Sequence, residues 1–132
     1  MRPIKRFTSP FAVVSLAILL GLGSGLPAAH GLSVTTLVVA SRSQYVPGDN
    51  RDHLPVVAIK GGKILFRNAD PFAFGPHTLT ADGRLPNGAP LFDSGDVGNG
   101  KSATINISTL KPGTYTFHCN HHLMFGTLRV VG

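Results

Sequence analysis

Short apolar runs with alternating polar positions recur along this chain, and glycine, proline, asparagine and aspartate residues separate them. Side chains at positions i and i+2 share one face of a β-strand, so this alternation is typical of strands with one buried face. The predicted strands cover residues 34–40, 55–59, 64–67, 77–81, 103–107, 114–119 and 126–131. No long run with a helical period follows residue 31. These short strands predict an all-β fold, an antiparallel β-sandwich of about a hundred residues.

The first 31 residues have the pattern of an export signal. Three basic residues precede the apolar run 11–20, and small residues around Ala29 fit a cleavage site. That run is shorter than the roughly 20 residues of a membrane-spanning helix. We therefore predict a secretory signal peptide at residues 1–31, a mature domain at 32–132, and a periplasmic or secreted protein. The alternative is a signal retained as an anchor, and membrane contact is expected only in that case.

The charge of the chain disfavours a nucleic-acid partner. The sequence contains 12 Lys and Arg residues against 6 acidic residues, for a net charge of +6. Loss of Arg2, Lys5 and Arg6 with the signal leaves nine basic residues against six acidic ones, a net charge of +3. The mature part contains no basic run or arginine cluster of the kind that binds nucleic acid.

Metal-binding side chains are concentrated in the segment YTFHCNHHLMFG, residues 115–126, which holds the only cysteine, Cys119, and three of the six histidines. A single cysteine forms no internal disulfide, so an exported thiol of this kind needs a chemical explanation. Strand alternation places Cys119 on the same face as Tyr115 and Phe117, and this face is expected to point inward. Thiolate, imidazole and thioether ligands together favour copper or zinc.

A copper site with two histidines and one cysteine needs a histidine from elsewhere in the chain. His77 is the best candidate, because it begins a predicted strand directly after a proline-containing loop. A structural zinc site, which normally has four tetrahedral ligands, is one alternative. A Cys-His hydrolase is another, but the sequence shows no oxyanion site or helix start beside Cys119. A cysteine that merely fills the core is the third.

Two segments resemble the cupredoxins, the small copper proteins of the plastocyanin, amicyanin and azurin kind. They are ILFRNADPFAFGPHTLT, residues 64–80, and the stretch 92–132, which contains PGTYTFHC and ends in GTLRVVG. The resemblance implies a Greek-key β-sandwich that holds one copper ion in a type 1 site. The ligands that it implies are His77, Cys119, His122 and Met124.

The loop after the cysteine departs from the family pattern. Short-loop cupredoxins have Cys-x-x-His-x-x-Met, whereas only Leu123 separates His122 from Met124 here. Alignment on the methionine would select His121 instead, and we prefer His122 because it stands three residues after the cysteine. The shortened spacing leaves the axial role of Met124 open.

Other residues receive roles from the same resemblance. Thr78 is expected to tie the His77 loop to the cysteine loop, and Asn68 and Asp70 to shape the turn before His77. His118 is expected to be a surface histidine, because it faces away from Cys119 in the strand alternation.

The resemblance implies a one-electron carrier, not an enzyme, and a monomer that meets a redox donor and acceptor. A copper-binding protein for delivery, storage or tolerance is the alternative. Docking is expected through an apolar patch near His122, and the proposed docking patch comprises Pro71, Phe72, Phe74, Pro76, Leu123 and Phe125.

Overall fold

The computed structural model describes residues 34–49, 51 and 54–132. The predicted signal peptide, His30 and His53 lie outside these ranges. The strands are β1 (Thr35–Ser41), β2 (Gln44–Val46), β3 (Val56–Ile59), β4 (Lys63–Asn68), β5 (Thr80–Ala81), β6 (Ser102–Asn106), β7 (Gly113–His118) and β8 (Phe125–Val131). One short 3-10 helix, Phe72–Phe74, lies between β4 and β5. The described part of the chain contains no helix long and apolar enough to cross a membrane.

The strands form two four-stranded sheets, with the orders β2-β1-β4-β6 and β3-β8-β7-β5. Buried side chains from both sheets pack in one apolar cluster, so the predicted all-β sandwich is confirmed. Each sheet contains one parallel pair, β1 with β4 and β3 with β8. The remaining pairs are antiparallel, and the sheets are therefore mixed, a detail that strand alternation does not encode.

The core follows the alternation read from the sequence. Ile64 and Phe66 are buried on β4, and Leu128 and Val130 are buried on β8, while the residues between them are more exposed. On β7, Phe117 is fully enclosed, and its ring meets the ring of Tyr45 edge-on at a centroid distance of 4.9 Å. This aromatic pair supports the end of β7 that leads directly to the candidate metal ligands.

Two parts of the strand prediction need correction. The predicted strand 77–81 is strand only at Thr80–Ala81, because His77 forms an isolated bridge with Val97 on the loop before β6. Strand β2 was not predicted, because its three residues show no apolar alternation.

Candidate metal centre

Three predicted ligand residues meet at one end of the sandwich. The sulfur of Cys119, one residue beyond β7, lies 3.8 Å from Nδ1 of His77 and 3.7 Å from Nδ1 of His122. The three donor atoms all lie within 4.8 Å of one another, and the two imidazole rings are 4.5 Å apart at their centroids. His77 and Cys119 are buried, whereas His122 is half-buried.

The spacing of these atoms fits a metal ion. Bonds of about 2.3 Å to sulfur and about 2.05 Å to nitrogen, at a trigonal angle of about 120°, put sulfur and nitrogen about 3.8 Å apart. The observed distances from Cys119 Sγ to the two histidine nitrogens, 3.8 and 3.7 Å, agree with this value. The donor set of two imidazoles and one thiolate is also the set that type 1 copper prefers.

A tight turn brings His122 back towards the cysteine. The backbone N–H of Cys119 donates to the carbonyl of Met124 at 3.0 Å, and the N–H of Met124 donates to the carbonyl of His122 at 2.8 Å. His121 instead directs its Nε2 to the carboxylate of Asp96 at 2.6 Å and is exposed. The structure therefore brings His122, and not His121, to the cysteine.

Met124 is buried, with 1% of its surface exposed. Its backbone carbonyl helps to close the turn through the hydrogen bond from Cys119. This contact gives the residue a structural role that does not depend on its sulfur. Axial ligation by Met124 stays a prediction.

Thr78 ties the two loops together, as the resemblance implied. Its backbone N–H points at the sulfur of Cys119 at 3.3 Å, and its Oγ1 accepts the backbone N–H of Asn120 at 2.9 Å. The hydroxyl of Thr80 lies 3.0 Å from the same Oγ1. These contacts orient the cysteine side chain before any metal binds, because they join the segment after His77 to the segment after β7.

The turn before His77 is shaped by Asn68. Its side-chain Oδ1 accepts the backbone N–H of Asp70 at 3.0 Å, and its Nδ2 donates to the carbonyls of Gly75 and Val97 at 3.2 and 2.9 Å. The predicted role of Asn68 is thus visible in its hydrogen bonds.

Asp70 does more than the sequence predicted. Its carboxylate lies 2.9 Å from Nε2 of His77, and both side chains are buried. Burial alone would raise the pKa of Asp70, but hydrogen bonds from Ser43, Arg42 and His77 outweigh it and hold that pKa below its usual value. Burial lowers the pKa of His77, against the opposing effect of the carboxylate, so a neutral imidazole is favoured. The resemblance implied only that Asp70 shapes the turn before His77, and no pattern in the sequence predicted this contact.

The remaining predicted residues lie around the site. His118 is half-buried and contacts Asp82 and Asn120 through its two ring nitrogens, so it is not one of the three clustered donors. In the proposed docking patch, Leu123 is 91% and Phe72 is 88% exposed, and Phe74 and Phe125 are exposed to a smaller extent. The phenylalanines of the 3-10 helix therefore do not pack into the core.

Comparison with solved structures identifies the same fold elsewhere. A copper-containing nitrite reductase from Thermus scotoductus superimposes with a TM-score of 0.57 at 22% identity, covering 75% of this chain and 23% of the reductase. A purple cupredoxin from Nitrosopumilus maritimus superimposes with a TM-score of 0.54 at 19% identity, covering 73% of this chain and 99% of the other. An oxidised amicyanin variant gives a TM-score of 0.57 at 17% identity and covers 74% of this chain and 82% of the other.

Comparisons based on sequence find fewer related proteins than the comparison of structures does. No curated protein matches the chain significantly. The cupredoxin-like domain family matches residues 13–130, which is most of the chain. Together with the two-sheet fold and the His-Cys-His cluster, this match shows that the chain belongs to the cupredoxin-like domain family.

Proposed function

We propose that this protein is a type 1 copper protein that carries single electrons between redox partners in an exported compartment. The observation that supports this proposal most is the triangle of His77 Nδ1, Cys119 Sγ and His122 Nδ1, whose spacing fits one metal ion. These residues would hold the ion, with Met124 as a candidate axial ligand. The amicyanin structures are described in an oxidised state and as Cu(I) forms, so a related fold accommodates both states.

The chemistry of the donor set suits electron transfer. A thiolate favours Cu(I) and imidazoles accept copper in either state, so bound copper would supply a reversible one-electron couple. The chain contributes rigidity, because Thr78 donates a hydrogen bond to the cysteine sulfur and accepts one from the backbone N–H of Asn120 in the adjoining loop. Ligands held in this way need to move little when the electron arrives or leaves.

His122 is the proposed path for the electron between the metal ion and the protein surface. Of the three clustered side chains it alone is not fully buried, and the highly exposed Leu123 follows it directly. A contiguous patch of exposed apolar side chains is typical of interaction surfaces. We propose that a redox donor and acceptor meet the monomeric protein at the docking patch, with no enzymatic step on this chain.

Lysine substitution tests the docking patch. We expect Phe72→Lys and Leu123→Lys to slow electron exchange with a redox partner while the visible spectrum of the copper protein stays unchanged. Ile59→Lys is the control, because Ile59 is also apolar and solvent-exposed, at 49%, but pairs with Val131, six residues along β8 from Phe125. That separation is about 20 Å. Equal exchange rates in all three variants would contradict docking through this patch.

Copper delivery, storage or tolerance is the second candidate function. The shortened spacing between His122 and Met124 supports it, because an altered axial position changes how strongly each oxidation state is held. A delivery protein would bind Cu(I) without the intense thiolate-to-Cu(II) absorption, whereas an electron carrier would show that band and cycle reversibly.

A further inference from the structure

The buried carboxylate of Asp70 contacts His77, the first histidine of the candidate metal centre. We propose that Asp70, held by hydrogen bonds from the turn between β1 and β2, is a positioning residue that fixes the tautomer and orientation of His77. In the second half of the proposal, the charge of Asp70 lowers the reduction potential of the bound metal. This inference rests on the proposed function for its second half only, since the tautomer is a property of the metal-free chain.

The hydrogen bond determines which nitrogen of His77 is free. Nε2 lies 2.9 Å from Oδ2 of Asp70, while Nδ1 on the other side of the ring lies 3.8 Å from the sulfur of Cys119. An ionised carboxylate only accepts hydrogen bonds, so Nε2 must carry the proton. Neutral His77 then presents the lone pair of Nδ1 towards Cys119 and His122, which is the state that a metal ion requires.

The turn between β1 and β2 holds the carboxylate in place. The backbone N–H of Arg42 donates to Oδ1 of Asp70, and that of Ser43 donates to Oδ2 at 2.9 Å. Arg42 and Ser43 have φ angles of 53° and 54°, the left-handed conformation that non-glycine residues rarely adopt. Ser41 pairs with Gln44, so Arg42 and Ser43 form a two-residue hairpin loop, in which positive φ angles at both positions match the twist of the strands. This turn directs two consecutive N–H groups at the carboxylate of Asp70.

The backbone of Asp70 is held as well. Its N–H donates to Oδ1 of Asn68 at 3.0 Å, and its carbonyl accepts a hydrogen bond from Nδ2 of Asn99 at 2.9 Å. The carboxylate thus has little freedom to turn away from His77. A fixed negative charge one imidazole away favours the more positive oxidation state of a bound ion, because that state gains more from the charge.

The metal-free wild-type protein tests the first half directly. Nitrogen-15 NMR of the His77 ring is expected to show a protonated Nε2 and an unprotonated Nδ1 at neutral pH. Protonation at Nδ1 instead, or rapid exchange between the two tautomers, would overturn the positioning role. This test needs no variant and no copper, so it stands even if the proposed function fails.

A matched pair of variants tests the second half. In the copper-loaded protein, Asp70→Asn is expected to shift the preference for Cu(II) over Cu(I) at least tenfold towards Cu(I), an increase in potential of about 59 mV per tenfold. Asp96→Asn removes the same charge from an exposed carboxylate that pairs with His121, and it is expected to shift the potential less. A shift in Asp70→Asn no larger than that in Asp96→Asn would overturn the proposal. A protein that binds no copper would instead refute the proposed function.

Discussion

Gly126 lies on strand β8 and packs against the ring of Phe117, two residues after Met124. Replacing Gly126 with alanine tests that packing. A Cβ atom at Gly126 would stand 2.3 Å from Cζ and 2.4 Å from Cε2 of Phe117, and 2.7 Å from the carbonyl oxygen of Gly48. Carbon atoms normally approach to about 3.5–4.0 Å, so the ring would have to move by more than about 1 Å. Phe117 cannot move freely, because it packs edge-on against Tyr45.

We expect Gly126→Ala to lower the free energy of unfolding of the metal-free protein by about 1–3 kcal/mol, the usual cost of overpacking a core. Gly98→Ala is the control, since its nearest neighbour would be Cγ of Lys101 at 3.9 Å. Neither glycine has a positive φ, so the comparison isolates the effect of space. Equilibrium denaturation in urea measures both variants. A Gly126→Ala protein as stable as Gly98→Ala, within about 0.5 kcal/mol, would refute the packing argument.

Two further predictions concern stability. Tyr45→Phe removes the buried hydrogen bond from the tyrosine hydroxyl to the carbonyl of Thr78, 2.6 Å long, and is expected to cost about 1–3 kcal/mol in urea denaturation; unchanged stability would contradict this. Hydrogen bonds from Arg51 lower the pKa of Asp49 in the folded protein. Ionised Asp49 therefore stabilises the fold fully at pH values above its pKa in the unfolded chain, and this stabilisation is lost as the pH falls through its pKa in the folded protein. The melting temperature of the metal-free protein should therefore fall on acidification, less steeply in Asp49→Asn, and identical pH profiles would show that Asp49 contributes nothing.

Most of the fold was predictable from the sequence, because a strand with one buried face alternates apolar and polar residues. Strands β1, β3, β4, β6, β7 and β8 were all expected close to their observed positions. β2 was missed, because three residues are too few to show a period and Tyr45 is its only buried side chain. The parallel pairing of β1 with β4 and of β3 with β8 was missed for a different reason. It depends on which distant strands meet, and local alternation carries no information about that.

The candidate site was predictable in composition but not in all its contacts. The resemblance pointed to His77, Cys119 and His122, and the structure brings these three side chains together. It also supports the preference for His122, because the hydrogen-bonded turn after Cys119 places that residue next to the sulfur. The contact of Asp70 with the β1–β2 turn was not predictable. Asp70 lies 28 positions after Arg42 and 27 after Ser43, and the turn that these two residues form leads into β2, which the strand pattern did not reveal.

The central claim is that His77, Cys119 and His122 hold one copper ion through a thiolate bond. A visible absorption titration of the wild-type protein with Cu(II) tests it most directly, with His122→Ala and His121→Ala as a matched pair. We expect an intense thiolate-to-copper band that saturates at one equivalent, is retained in His121→Ala, and is lost or strongly altered in His122→Ala. A wild-type protein without that band, or a band that depends on His121 and not on His122, would contradict the account.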